Sequence, residues 1–238
     1  MIKTGKKENI NQHGQPIGES VSNWQGAKCP EKIALAGRFC HLEPLDADKH
    51  SADLYAAFTL DRAGKLWTYM PTEPFHSEAE VRMWVARNAS LDDPLFYAIV
   101  DKQTAKAVGV AAYLRIKPAS GCIEVGHLIF SPLLQRTPPA TEAMFLMMQY
   151  AFEVLGYRRY EWKCDSLNTA SCKAAKRLGF QFEGTFRQAS VYKGRNRDTS
   201  WFAIIDKDWQ TLKKRFLRWL SADNFTANGQ QRQRLQDC

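Results

Sequence analysis

The stretch FSPLLQRTPPATEAMFLMMQYAF, residues 130–152, constrains the fold of this chain more than any other. It begins as the end of a strand, passes through a turn with two adjacent prolines, and continues as an apolar helix that runs to a glycine cap at Gly156. The segment YRRYEWKCD, residues 157–165, then predicts another strand. A strand, a helix and a strand in this order form a crossover connection, which predicts a sheet with helices packed against it.

The proline turn QRTPPAT, residues 135–141, raises the question of an anion site. Turns of this kind often hold a phosphate, and most are rich in glycine because the backbone comes close to the ligand. Pro138 and Pro139 have no N–H to donate, but their φ is already near the helical value, and the positive end of the helix dipole lies at the turn. The remaining donors are the backbone of Gln135, Arg136, Thr137, Ala140 and Thr141, the two threonine hydroxyls and the Arg136 charge. A rigid anion cradle and a sharp helix start without a ligand are both compatible with this turn.

The rest of the chain alternates between strand and helix patterns. Strands are predicted at 38–45, twice within 94–116, at 121–131, and in a closing pair, QFEGTFRQASVYKG and RDTSWFAIID; helices are predicted at 46–61, 76–90, 168–180 and about 207–221. Ser77 and Glu80 have the spacing of a capping box at the start of the second helix. Antiparallel hairpins at both ends and one crossover in the middle predict a mixed α/β sheet domain.

Composition divides the chain into three parts. Residues 1–36 are rich in Asn, Gln, Gly and Lys and are predicted to form an extended arm, laid on the domain through Ile17, Val21 and Trp24. Residues 37–206 form the domain, and residues 207–238 a last helix with a polar, basic tail. The chain has no apolar run of about 18 residues and its N-terminus lacks the apolar core of a secretory signal. We therefore expect a cytoplasmic protein without membrane contact.

Charge and cysteine usage narrow the class of ligand. The net charge is +8, with Lys and Arg concentrated in 156–198 and in the tail, which favours an anionic partner. A phosphate-bearing cofactor is favoured over nucleic acid, and a solvated basic surface is the third alternative. The six cysteines are scattered without a CxxC pair, which argues against a structural zinc site and a disulfide framework, and we expect no metal. Their spacing leaves open whether any two of them pair.

Three motifs in the middle of the chain carry a family resemblance. They are IEVGHLIFSPLLQRTPPAT, the strand RRYEWKCD, and NTASCKAAKRLGFQFEGTFR; GRFCHLEPL at 37–45 adds an opening motif. Together they resemble the GCN5-related N-acetyltransferase (GNAT) superfamily, and within it the ribosomal-protein N-terminal acetyltransferase-like (RimJ/RimL-type) group, over roughly residues 37–206. The turn departs from the family pattern, because Pro138 stands where glycine is usual. The resemblance implies a single-domain acyl-CoA N-acyltransferase fold: a mixed, mostly antiparallel central sheet with a splayed strand pair and flanking helices.

The resemblance also implies acetyl-CoA as co-substrate, held in the split between strands 121–131 and 158–164. The pantetheine would pair with the strand edge at Leu128, Ile129 and Phe130, and the pyrophosphate would lie at Gln135, Arg136, Thr137, Ala140 and Thr141. Asn168 would reach the pantetheine, with Ser171 beside it. A splayed strand offers unpaired N–H and C=O groups that suit the amides of pantetheine, and clustered Lys and Arg suit its phosphates.

The implied reaction is direct transfer of an acetyl group from the thioester to an amine. An α-amine with a pKa near 8 is about a tenth neutral at pH 7, whereas a lysine is less than about a thousandth neutral. The strand beside the thioester offers Glu124 as the first candidate for the base and His127 as the second. A salt-bridged Glu124 and a packed His127 are the structural alternatives. Many relatives carry a tyrosine acid where this chain has Ala175, so no tyrosine acid is implied here. Ser171 and Cys172 are the candidates to approach the sulfur, although a thiolate leaves readily without an acid.

The acceptor is the least determined part of the site. Trp67, Tyr69 and Met70 are predicted to line its pocket, and Tyr192, with Arg195 and Asn196, to touch it from a hairpin loop; aromatic core and solvated loop are the alternatives. A protein N-terminus is the first acceptor considered, and a polyamine or aminoglycoside-like amine the second. A CoA- or RNA-binding module without catalysis, using the basic tail, is the rival class. The sequence is compatible with a monomer or a homodimer.

Overall fold

The computed structural model describes residues 9–238, and it places ten strands and five α-helices there. The strands are β1 (Asn9–Ile10), β2 (Pro16–Ile17), β3 (Leu35–Ala36), β4 (Cys40–Pro44), β5 (Leu95–Asp101), β6 (Lys106–Lys117), β7 (Cys122–Phe130), β8 (Arg159–Asp165), β9 (Gln181–Tyr192) and β10 (Arg195–Ile205). The helices are α1 (Ala47–Phe58), α2 (Glu78–Ala89), α3 (Pro138–Gln149), α4 (Thr169–Arg177) and α5 (Asp206–Leu220). A π-helical turn (Tyr150–Val154) extends α3, and short 3-10 helices lie at Lys65–Trp67, Pro118–Ser120, Ala222–Asn224 and Leu235–Asp237.

Eight strands form one sheet in the order β3-β4-β5-β6-β7-β8-β10-β9. Every neighbouring pair is antiparallel except β7 and β8, which are parallel and joined through α3. The predicted mixed α/β sheet, with hairpins at both ends and one crossover in the middle, is confirmed. The crossover places the ends of β7 and β8 side by side, at the point where α3 begins and β8 leads into α4.

The two faces of the sheet carry separate hydrophobic clusters. One face packs against α3, α4 and α5, and its cluster includes Tyr160, Trp162 and Cys164 of β8. The other face packs against α1 and α2 in the β4–β6 half, through residues such as Phe96 and Val110. Side chains alternate across a strand, so Glu161 and Lys163 of β8 point to this second face. In the β7–β9 half, charged side chains occupy that face, among them Glu124, Glu161 and Lys163.

Local capping explains where the helices begin. Asp46 accepts hydrogen bonds from the N–H groups of Asp48 and Lys49 at the start of α1. Ser77 accepts from the N–H of Glu80 at 3.2 Å, while the Glu80 carboxylate accepts from the N–H of His76 at 2.8 Å. The predicted cap therefore forms, with the carboxylate reaching one residue further back than in the usual capping box.

A buried carboxylate ties α3 to the beginning of β4. Glu142, 3% exposed, accepts hydrogen bonds from the backbone N–H groups of Arg38, Phe39 and Cys40 at 2.7, 2.6 and 2.8 Å. Gly37 makes room for this contact, because a Cβ at that position would overlap the Glu142 carboxylate. The start of α3, and with it the proline turn, is thereby fixed against the sheet.

Both ends of the described chain lie on the domain. Of the three arm residues predicted to do so, Trp24 makes the firm contact: its Nε1 donates to the Ala119 carbonyl at 2.7 Å, whereas Ile17 and Val21 are about half exposed. Residues 1–8 of the predicted arm lie outside the described residues. In the tail, Leu235 is 1% exposed, so the predicted polar segment contributes to the core. Within residues 9–238 no helix is long and apolar enough to span a membrane.

Candidate active site

The parallel pair β7–β8 opens into a split. Pairing runs from Cys122 opposite Arg159 to Val125 opposite Trp162 and then stops. Beyond that point β7 pairs only with β6, and β8 only with β10. The edge of β7 at Leu128, Ile129 and Phe130 therefore faces the split without a strand beside it, as the splayed strand pair predicts. Leu128 and Phe130 pack towards the first cluster and Ile129 towards the second.

A β-bulge in β7 changes which side chains share a face. The register with β6 shifts between Ala112 opposite Gly126 and Val110 opposite Ile129, and His127 has a φ of 49°. A bulge adds one residue to a strand and reverses the alternation beyond it. Glu124 and His127, an odd number of residues apart, consequently lie on the same face. The bulge brings the two predicted bases to one side of the split.

Glu124 is buried between two cations. It is 3% exposed, its Oε1 accepts from Arg115 Nη1 at 2.6 Å, and its Oε2 lies 2.8 Å from Lys163 Nζ. Burial raises the pKa of this carboxyl, and the charges of Lys163 and Arg115 oppose the rise. The predicted alternative of a salt-bridged Glu124 is therefore present in the structure.

The ion pairs continue along β8 as a row of charged side chains on one face of the strand. Lys163 Nζ also lies 2.8 Å from Glu161 Oε2, and Arg159 Nε donates to Glu161 Oε1 at 2.6 Å. The Trp201 ring covers Lys163, whose Nζ is 3.7 Å from the ring centroid. The sequence reasoning missed Lys163, Arg115 and Trp201. The signal for the row was available in RYEWKCD, where Arg159, Glu161 and Lys163 recur at every second residue.

The imidazole of His127 lies next to an aromatic side chain. Its ring centroid is 5.2 Å from that of Phe96, a member of the second cluster. Burial, together with the nearby Arg115 charge, lowers the pKa of His127 below its ordinary value of 6.5. The imidazole is consequently neutral at pH 7, a form that can accept a proton.

The proline turn is closed by its own side chains. Thr137 Oγ1 donates to the Leu134 carbonyl at 2.6 Å and accepts from the Ala140 N–H at 3.4 Å, while Gln135 Nε2 donates to the Phe130 carbonyl at 2.8 Å. These bonds engage several of the predicted donors. Within residues 9–238 the backbone N–H groups of Arg136 and Thr137 have no acceptor, so they remain available to an anion at the start of α3. Arg136 itself has a φ of 61°.

The predicted cradle residue Thr141 has a different environment. It is 4% exposed, and its hydroxyl accepts a hydrogen bond from Arg177 Nη1 at 3.0 Å. Burial lowers the pKa of Arg177, whose guanidinium also lies over the Trp219 ring. The hydroxyl of Thr141 thus holds α4 to α3.

The turn into α4 carries the remaining predicted cofactor residues. Asn168 caps the helix, its Oδ1 accepting from the Ser171 N–H at 3.0 Å. Trp162 Nε1 donates to Ser171 Oγ at 3.0 Å, so the Ser171 hydroxyl is held against β8. Ala175, at the position of the tyrosine in many relatives, is fully buried. The caps place Asn168 and Ser171 at the open end of β8, where the split begins.

The predicted acceptor residues come together only in part. Tyr69 Oη donates to the Leu167 carbonyl at 3.1 Å, and Tyr192 Oη donates to Asp165 Oδ2 at 2.9 Å, which places both rings next to the turn into α4. Trp67 is 3% exposed and lies inside the second cluster, where it makes T-shaped contacts with the rings of Phe58 and Phe75. Met70 packs against the same cluster.

Backbone carbonyls fix the hairpin tip above this turn. Lys193 Nζ donates to the Trp67 carbonyl at 2.9 Å, and Arg195 Nη2 to the Thr68 carbonyl at 3.0 Å. The β9–β10 tip and the loop after α1 are thereby joined over the end of β8.

Comparison with known proteins decides the family. The model described as "Acetyltransferase (GNAT) domain" matches residues 40–181. The chain belongs to this family. A crystal structure of a GCN5-related N-acetyltransferase from Brucella melitensis is 47% identical and covers 91% of this chain and 98% of that chain, with a TM-score of 0.89. An uncharacterised N-acetyltransferase of Bacillus licheniformis, p20, is 27% identical over 144 residues, 59% of this chain and 80% of that protein.

A more distant structure shares the GNAT fold alone. A RimL ribosomal alpha-N-protein acetyltransferase, solved in complex with coenzyme A, is 23% identical with a TM-score of 0.63, covering 74% of this chain and 100% of that chain. The predicted superfamily and fold are confirmed, and this GNAT protein is an acetyl-CoA-dependent N-acetyltransferase.

Proposed function

We propose that this GNAT enzyme acetylates a primary amine, first of all the α-amine of a protein N-terminus. The observation that carries the proposal is the position of Glu124. A buried carboxylate lies where β7 and β8 separate, on the same face as His127. A proton acceptor is needed at that place, because an amine attacks a thioester only in its neutral form.

The split and the turn supply the two halves of a site for acetyl-CoA. The edge at 128–130, which has no strand on its β8 side, matches the amide groups of pantetheine. The free N–H groups of Arg136 and Thr137, at the start of α3, suit the pyrophosphate, and the Arg136 charge adds to them. Asn168 and Ser171 would border the pantetheine from the α4 side. In this arrangement the two prolines make the cradle rigid without removing the donors that it needs.

Glu124 would take the proton of the amine, directly or through a water molecule. Burial raises its pKa above the ordinary value, which makes the carboxylate a stronger proton acceptor, while the charges of Lys163 and Arg115 oppose the rise and hold the side chain in place. His127 is the second candidate, since it is neutral and lies on the same face. The thiolate of coenzyme A would then leave without help from a tyrosine acid, because Ala175 stands at the position of that tyrosine.

The charges around the site favour an α-amine over a polycation. Polyamine or aminoglycoside binding would need a cluster of unpaired carboxylates. The five acids between residues 73 and 93 form no such cluster: Glu73 pairs with Lys193, Asp92 with Lys32, Asp93 accepts from the backbone of Arg115 and Ile116, and Glu78 and Glu80 begin α2. The RimL protein that shares the fold acts on a protein α-amine, which adds support at the level of the fold only.

The test begins with the cofactor and then the acceptor. Acetyl-CoA at 100 times its dissociation constant should add about 2.7 kcal/mol to the free energy of unfolding, whereas matched salt should not. Peptides with a free α-amine are then compared with the same peptides blocked at the N-terminus but carrying lysine, and with a polyamine. Acetylation of the free α-amine alone supports the proposal. If only the polyamine or only the lysine is acetylated, the proposed acceptor is wrong. If millimolar acetyl-CoA fails to stabilise the protein, the proposed cofactor site is wrong as well.

Cytoplasmic location, the number of subunits and the absence of a metal from the reaction stay predictions.

A further inference from the structure

Two thiols meet next to the split. Cys164 of β8 and Cys172 of α4 have their Sγ atoms 3.6 Å apart. Both are free cysteines; Cys164 is buried and Cys172 is half-buried. They are the one pair of cysteine sulfurs in hydrogen-bond contact within residues 9–238. The contact arises because the turn between β8 and α4 folds the first turn of the helix back over the strand.

The two sulfurs differ in how they can react. Burial raises the pKa of the Cys164 thiol to about 12, and the neighbouring Cys172 sulfur adds to the rise. Cys164 is therefore a thiol at neutral pH, shielded from solvent. Cys172, on the helix, is the sulfur that a reagent in solution reaches first. A disulfide needs a sulfur separation of about 2.0 Å, so the gap must close by roughly 1.5 Å. Closing the gap requires rotation of the cysteine side chains and a small shift of α4.

We propose that Cys164 and Cys172 form a redox modification site, which closes reversibly to a disulfide. The oxidant is a low-molecular-weight disulfide such as oxidised glutathione. The Cys172 thiolate attacks it and releases one thiol, leaving a mixed disulfide on Cys172. The Cys164 sulfur then attacks Cys172, loses its proton and releases the second thiol. Two cysteine thiols are oxidised, and one small disulfide is reduced to two thiols.

The disulfide acts on the cofactor site through α4. Cys172 lies next to Ser171, whose hydroxyl is bonded to Trp162, and its own N–H donates to the Asn168 carbonyl at 3.0 Å. Drawing Cys172 onto β8 shifts this first turn, which borders the split. We expect acetyl-CoA to bind the oxidised protein about tenfold more weakly than the reduced protein, within the usual range for coupled sites. This consequence rests on the proposed cofactor site, while formation of the disulfide does not.

The experiment titrates the whole protein with reduced and oxidised glutathione and maps the cysteines by peptide mass. We expect a linked Cys164–Cys172 peptide that a reducing agent restores to two thiols. Cys29, which is exposed, should carry only a glutathione adduct. In Cys164→Ser the adduct should remain trapped on Cys172, and Cys29→Ser serves as the matched control that still forms the internal link. If Cys164 and Cys172 stay free when Cys29 is fully modified, the proposal is wrong.

Acetyl-CoA binding is then measured on the reduced and oxidised forms by thermal shift. The coupling is supported if acetyl-CoA affinity falls on oxidation and recovers on reduction, and if Cys172→Ser shows no such change. Equal binding by both forms overturns the coupling. If the reduced protein does not bind acetyl-CoA either, the proposed function fails, although the mass mapping still decides whether the disulfide forms.

Discussion

Two carboxylates in this enzyme are equally buried and differently held. Glu142 and Glu124 are each 3% exposed. Glu142 accepts from three consecutive backbone N–H groups, which come from the turn into β4. Glu124 has two side-chain cations as partners, Arg115 and Lys163, and it borders the split between β7 and β8. One carboxylate is therefore held by the backbone, and the other by long side chains.

The difference in partners predicts a structural role for Glu142 and a functional one for Glu124. Backbone donors cannot move away without unfolding the segment that carries them, so Glu142 fixes the position of α3. Side-chain cations can change partners, and Lys163 already shares its charge between Glu124 and Glu161. A proton can be taken up at Glu124 with only local rearrangement. We therefore expect changes at Glu142 to alter stability and changes at Glu124 to alter the rate.

The largest effect should follow Glu124→Gln. The amide keeps the shape of the side chain but cannot accept the proton of the amine. We expect kcat to fall about 10²- to 10⁴-fold, the usual contribution of a general base. Acetyl-CoA affinity should stay nearly unchanged. Steady-state kinetics with a saturating acceptor, together with cofactor titration, measure the two quantities.

The control for this variant is Glu161→Gln. Glu161 lies opposite Glu124 and shares Lys163 with it, but its second cation is Arg159, which lies further from the split. Glu161→Gln should therefore slow the reaction much less than Glu124→Gln does. Equal losses of kcat in the two variants would mean that the charged row formed by Glu124, Lys163, Glu161 and Arg159 acts as a whole. An unchanged kcat in Glu124→Gln would leave His127 as the base.

The next effect should follow Glu142→Ala. Three N–H groups lose their acceptor, of which that of Cys40 is buried and those of Arg38 and Phe39 are partly buried. A buried group left unpaired costs about 1–3 kcal/mol. We expect the free energy of unfolding to fall by about 3 kcal/mol or more, while kcat per folded molecule changes little. Urea unfolding measures the first quantity, and active-site titration corrects the second. In Glu142→Gln one oxygen remains as acceptor, so the loss should be smaller. A Glu142→Ala protein with full stability would show that the backbone contact is not structural.

A smaller effect should follow Gly37→Ala. The added methyl group meets the Glu142 carboxylate and must displace it from the three N–H groups. Overpacking of this kind costs about 1–3 kcal/mol. Gly18→Ala is the matched control, because a Cβ there meets no atom within 4 Å. Thermal unfolding of the two variants should differ clearly. Equal melting temperatures would mean that the turn before β4 yields without loss.

The contrast between the carboxylates also explains what the sequence could predict. Local signals determine the helix starts, so Ser77, Thr137 and Asn168 cap helices close to where their patterns indicate. The contact between Glu142 and Arg38 spans 104 residues, and no local pattern encodes it. The pair Glu124–Lys163 depends on the register of two parallel strands, which is set only when the crossover closes.

Residue type alone also left the acceptor side undetermined. Trp67, Tyr69 and Tyr192 all looked like pocket residues in the sequence. Trp67 enters the second cluster because α1 and the following loop enclose it, whereas the two tyrosines use their hydroxyls to bridge loops. An aromatic side chain is suited to either place, and only tertiary packing distinguishes them.

The smallest effect we predict concerns pH and His127. Burial and then the Arg115 charge lower its pKa in the folded protein below the 6.5 of an ordinary histidine. The unfolded chain therefore binds this proton more readily, and acid favours unfolding. The stabilising contribution is complete above about pH 6.5 and is lost as the pH falls towards the folded-state pKa. His127→Gln should show a weaker loss of stability between pH 7 and pH 5 than the wild type, measured by urea unfolding at each pH. His13→Gln, a change at an exposed histidine of the arm, should follow the wild-type profile. Parallel profiles for His127→Gln and the wild type would mean that His127 accepts a proton in the folded protein as easily as in the unfolded chain, and they would contradict the effect expected from burial of its imidazole next to Phe96.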